Sequence, residues 1–114
     1  MQFPKLFRRP PPKPVNAVVV CVETGPPGAP SSVDDGAVEE LAQRLCALAE
    51  SQRLGEYDGC DRFTSESRLY FFSDEADRLA IAALEVIGPL PWRDRVRVRV
   101  SLDPLGGSWR KVFP

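Results

Sequence analysis

Few residues in this 114-residue chain could do chemistry. Asp74, Glu75 and Asp77 cluster within four positions. Asp58 and Asp61 form a second acidic pair, and Cys21, Cys46 and Cys60 are the thiols. Carboxylate clusters can hold a metal, and paired carboxylates can do acid–base work. Histidine is absent, which excludes Ser-His and Cys-His nucleophile systems and imidazole ligation. Three cysteines without a C-x-x-C spacing fit neither a disulfide framework nor a zinc ribbon, so they read as free thiols in a reducing compartment. Gly25, Gly28 and Gly36 match neither G-x-x-x-x-G-K-[ST] nor G-x-G-x-x-G. The loop TGPPGAPSS lacks the arginine that an acylphosphatase carries after its first strand. The chain therefore reads as a non-enzyme without cofactor or metal.

The acidic cluster has a simpler role as the start of a helix. Ala76, Leu79, Ala80, Ala83, Leu84 and Ile87 repeat at i, i+3, i+4, i+7, i+8 and i+11, one buried helical face. Ser73 or Asp74 is the expected N-cap, the acids sit at the positive end of the helix dipole, and Gly88-Pro89 ends the helix. An earlier helix is marked by Val38, Leu41, Leu45 and Leu48, with Ser32 or Asp34 as its cap and Gly55 as its left-handed C-terminal residue.

Strands flank both helices. Val15 to Glu23 is a continuous β-branched-rich run, expected of a strand buried on both faces. Glu56 to Thr64 is a weaker strand, with a bulge or bend expected at Asp58-Gly59. A polar turn, Thr64 to Ser67, leads into Arg68-Leu-Tyr-Phe-Phe72. Arg95 to Ser101 alternates strictly, with Val96, Val98 and Val100 on one side and Arg95, Arg97 and Arg99 on the other. Ser108 to Pro114 reads as a tail whose Trp109, Val112 and Phe113 pack back.

The order β-α-β-β-α-β predicts an α+β fold, a ferredoxin-like sandwich with two helices on one face of a four-stranded antiparallel sheet. Strand order 4-1-3-2 makes the first and third strands central. It leaves the arginine strand at an edge, where charge guards against strand-to-strand aggregation. Residues 1–14 hold five prolines and Lys5, Arg8, Arg9 and Lys13, a flexible basic arm before a single domain at 15–114. Beyond the arm, eleven basic residues stand against sixteen acidic ones, so the body is acidic and general attraction to nucleic acid is disfavoured. The broken apolar pattern of MQFPKLFRRPPPKP and the lack of a run long enough to cross a bilayer predict a cytoplasmic protein without membrane attachment.

Gly55-Glu56-Tyr57-Asp58-Gly59, the following strand and Asp74-Glu75-Ala76-Asp77 resemble a group of small uncharacterised bacterial proteins. These share a G-x-x-D-G segment and an acidic helix start. In that group a histidine or asparagine often follows the glycine, where this chain has Cys60. The resemblance spans about a third of the chain. It implies the ferredoxin-like fold and a bacterial, cytoplasmic setting, and it brings no catalytic residues.

Function is then expected on the sheet face without helices. Alternation sends Leu69 and Phe71 one way and Tyr70 and Phe72 the other. The expected contact residues are Tyr70, Phe72, Arg95, Arg97 and Arg99, an apolar centre flanked by arginines. The alternative is that the arm or Trp109 to Phe113 cover this face. The leading reading is a protein-binding module, an immunity protein or small regulator, with an acidic protein partner or a second copy of the chain. Two others are single-stranded RNA binding on the sheet aromatics and a small-molecule regulatory domain using the Thr24–Ser32 loop.

Overall fold

A computed structural model describes residues 16–25, 33–103 and 108–111. The elements are β1 (Asn16–Glu23), α1 (Asp35–Ser51), β2 (Glu56–Arg62), β3 (Glu66–Ser73), α2 (Ala76–Ile87), β4 (Val96–Asp103) and β5 (Ser108–Lys111), with a 3-10 turn at Arg93–Arg95 before β4. The strands form one antiparallel sheet in the order β2-β3-β1-β4-β5. The first four strands and two helices are the expected ferredoxin-like α+β arrangement, with β1 and β3 inside it.

β5 adds a strand beyond the expected four and corrects the expected edge. Ser108–Lys111 lies in the expected tail, yet it pairs with β4 from Arg99↔Lys111 to Asp103↔Ser108. The arginine strand is therefore interior, and its charges do not guard an edge. β2 is the edge on the other side. A register shift between Tyr57 and Gly59 makes the expected bulge there, and Gly59 takes φ +130°. A bulge of this kind twists an edge and spoils it as a template.

One face of the sheet carries the core. Val18, Val20 and Val22 of β1, Leu69 and Phe71 of β3, and Val96, Val98 and Val100 of β4 pack with Val38, Leu41, Leu45 and Ala49 of α1 and Leu79, Ala80, Ala83 and Ile87 of α2. Both helices thus lie on the same face, as two right-handed crossovers require. Tyr57 extends this layer, its ring 5.2 Å from that of Phe71.

Asp34 caps α1, its carboxylate accepting from the Ala37 N–H at 2.8 Å. The other end differs from expectation. Arg53, not Gly55, is the left-handed residue, at φ 52°. The Arg53 N–H donates to the Glu50 carbonyl and the Leu54 N–H to that of Ala49, the paired bonds of a Schellman ending, with buried Leu54 closing it. A residue with a Cβ is strained there. Arg53→Gly is expected to raise stability by about 0.5–1 kcal/mol, after the added freedom of glycine in the unfolded chain is counted. A higher urea midpoint with an unchanged slope would show it.

α2 also starts later than the sequence suggests. Ser73 stays in β3, paired with Asn16, so it does not cap the helix. Its hydroxyl donates to the Leu54 carbonyl and accepts from the Glu75 N–H. One buried side chain thereby joins the end of α1 to the turn before α2. The helix runs from Ala76 to Ile87 and stops at Gly88.

Candidate interaction surface

The face opposite the helices can be laid out from strand register. Phe72 sits beside Ala17, which sits beside Ser101. Tyr70, Val19 and Arg99 form the next row, and Arg68, Cys21 and Arg97 the third. β2 extends these rows outward with Glu56 beside Phe72, Gly59 beside Tyr70 and Asp61 beside Arg68. At the hairpin end, Glu66 lies opposite Glu23.

Burial in β3 alternates strictly, with Leu69 and Phe71 inside and Tyr70 and Phe72 half-buried. This resolves which aromatic pair faces the open side. Ala17, Val19 and Cys21 are buried although neither described helix covers this face. Their short side chains form the floor of a trough between the aromatic row of β3 and the arginine row of β4. The walls stand two strand spacings apart, roughly 10 Å.

Four of the five expected contact residues, Tyr70, Phe72, Arg97 and Arg99, come together around this trough. Arg95 departs from expectation. It ends the 3-10 turn, with its N–H bonded to the Trp92 carbonyl at 3.0 Å, so the strand begins one residue later at Val96. Pro89 and Pro91 interrupt backbone donation just upstream, and a tight turn bridges the gap.

Arg68 joins the surface beyond the five expected residues. It lies in phase with Tyr70 and Phe72 two and four residues on, a signal visible once the strand is extended back to Glu66. Its guanidinium donates to the Glu66 carboxylate and rests 4.7 Å from the centre of the Phe63 ring, a cation–π distance. Phe63 is half exposed.

The surface is polarised. Glu56 and Asp61 line its β2 side, and Arg97 and Arg99 its β4 side. Burial, and next the carboxylate of Asp61, push the Tyr70 phenol above its usual pKa. Burial pushes the Cys21 thiol up too, helped by Glu66 and opposed more weakly by Arg99, Arg68 and Arg97. The thiol is thus protonated at neutral pH and poorly suited to act as a nucleophile. What this side offers is apolar area, a neutral phenol and guanidinium donors that can take carboxylates in a forked geometry.

Other sites are thinner. Among the described residues no group of three or more His, Cys, Asp or Glu is arranged to hold a metal ion. The acidic helix start borders a cleft of about 260 Å³ lined by Asn16, Glu75 and Arg78 among others, below the usual range of enclosed ligand sites. Most of the Thr24–Ser32 loop lies outside the described residues. So do the basic arm and, of the Trp109 to Phe113 stretch that the alternative reading placed over the sheet, Val112 and Phe113. No described helix is long and apolar enough to cross a membrane. No protein-family model, curated protein or solved structure matches the chain.

Proposed function

We propose that this chain is a non-enzymatic protein-binding module that acts through the open sheet face, as a small bacterial immunity or regulatory protein in the cytoplasm. The observation that carries the reading is the grouping of Tyr70, Phe72, Arg97 and Arg99 about the apolar Ala17, Val19 and Cys21 on the sheet face opposite the described helices. Aromatic and arginine side chains at the centre of a patch are the residue types that dominate binding energy in protein interfaces. The guanidinium row favours a partner that presents carboxylates.

Affinity capture from the source cells tests this, with the wild-type chain, Arg97→Gln/Arg99→Gln and, as a control on the helix side, Arg44→Gln. A partner held by the wild type and the control and lost by the double variant is the expected result. Equal capture by all three contradicts the reading.

Single-stranded RNA is the second reading, favoured by two half-buried aromatics on the open side of the third strand in a sheet of this order. Glu56, Asp61, Glu66 and Glu23 on the same face oppose a phosphate backbone. A gel shift at low salt that fails to appear removes it.

A further inference from the structure

The open face complements itself. Consider a twofold axis lying along the face, parallel to the strands and midway between β3 and β1. Rotation about it places β3 over β1 of a second copy and β2 over β4. Each row keeps its height along the strands, so the contents of facing positions follow directly from the register.

Three features then match. Asp61 of one copy faces Arg97 of the other, twice, because the contact is symmetric. Phe72 and Tyr70, the half-buried aromatics of β3, face Ala17 and Val19, whose short side chains are already buried, so the rings of the two copies stand side by side in each row. Glu56 comes within a diagonal step of Arg99. Two contacts oppose these: Glu66 would face Glu23, and Arg68 of one copy comes one strand spacing from Arg97 of the other, beside the Asp61 that faces it. The glutamate row is at the rim of the patch, where water screens charge, and Arg68 already neutralises Glu66.

We infer that the open face binds the same face of a second copy of this chain, forming a symmetric sheet-on-sheet dimer. This rests on reading the face as an interaction surface and adds the identity of one occupant. Four strands of about seven residues present roughly 500 Å² per copy, so the pair buries about 1,000 Å², near the lower bound for a specific interface. The dimer is therefore concentration-dependent, and a tighter-binding partner on the same face would displace it.

Sedimentation equilibrium of the full chain across low to high micromolar concentration tests the inference through charge reversal. The wild-type average mass is expected to climb from the 12.6 kDa monomer toward the dimer. Asp61→Arg alone and Arg97→Glu alone each place like charges face to face and are expected to weaken the dimer by about tenfold or more. Mixing the two single variants, or combining them in one chain, restores both opposite-charge pairs and is expected to recover association. Circular dichroism checks that every variant is folded. A monomeric wild type overturns the inference, as does a dimer that the single reversals leave intact or that the combinations fail to rescue. Partner capture by the monomeric Arg97→Glu or Asp61→Arg chains is read separately. A wild type that stays monomeric yet captures a partner sinks this inference alone, whereas a dimer disrupted and rescued as expected, with capture that Arg97→Gln/Arg99→Gln leaves intact, sinks only the reading of a partner contact.

Discussion

Phe71→Ala is expected to destabilise the protein by about 3–5 kcal/mol, and Phe72→Ala, one residue along the same strand, by about 1 kcal/mol or less. The two side chains are chemically identical and differ in the face they occupy. Phe71 is almost wholly enclosed, packed in the helix-side core and against the Tyr57 ring. Truncating it removes transfer free energy and leaves a cavity among Val, Leu and Ala side chains already in close contact. Phe72 is half-buried on the open side, where its loss opens space to water rather than a void. Urea unfolding of both variants measures the contrast. Similar losses at both positions would mean that the open face is a second core, closed within the monomer, and not a surface kept for contacts. Phe72→Ala should instead weaken association, as an aromatic anchor at the centre of an interface does.

Gly55→Ala is expected to cost about 2–4 kcal/mol, far more than a surface substitution. Gly55 connects the end of α1 to β2. A Cβ built there would lie 2.5 Å from the Phe72 carbonyl oxygen and 3.0 Å from the Ser73 Cβ. The nearest atom is backbone in a paired strand, so relief requires moving β2 away from β3. That shift would also strain the adjoining hydrogen bond from Ser73 to the Leu54 carbonyl and displace the β2 acids from the open face. Gly59→Ala provides the comparison. Gly59 has φ +130° but open space around its missing Cβ, so it incurs the backbone strain without the collision. A thermal midpoint lowered much more at Gly55 than at Gly59 is the expected pattern. Equal shifts would show that conformation rather than contact governs both.

The alternation of valine and arginine around Val96 to Val100 was enough to place both sides of β4 correctly, because a period of two has only one structural meaning. The uninterrupted run Ala17 to Val22 placed β1 inside the sheet but hid its two faces. All six residues are buried, three under helices and three on the floor of the open trough. β5 carries little signal in the sequence because SWRK is four residues long and has no alternating apolar pattern; its pairing is supplied by β4. The start of α2 was shifted because a serine that suits an N-cap also suits the end of a paired strand, and here the pairing with Asn16 prevails.

The acidic side of the surface was hardest to read. Glu56 and Asp61 are five residues apart, an odd spacing that sends side chains to opposite faces of a regular strand. The bulge at Asp58 inserts one extra residue and brings both to the open face. A bend was legible from Asp58-Gly59, but its effect on phase was not, since that depends on where the partner strand resumes its register. The polarity of the face, and with it the fit to a second copy, becomes visible only with the pairing in hand.

On the proposed function, the arginine row of the open face makes the contact. The most direct measurement is the affinity of the captured partner for the wild type and for Arg97→Gln/Arg99→Gln, followed from low to high salt. Removing two guanidinium groups from a contact should weaken binding by about tenfold or more at low salt. The gap between the two proteins should narrow as salt rises and screening shortens the reach of the charges. Circular dichroism and the urea midpoint should be nearly unchanged, since only the open side is altered. Equal affinities at low salt, with the fold intact, would contradict the account and take the arginine row out of the interface.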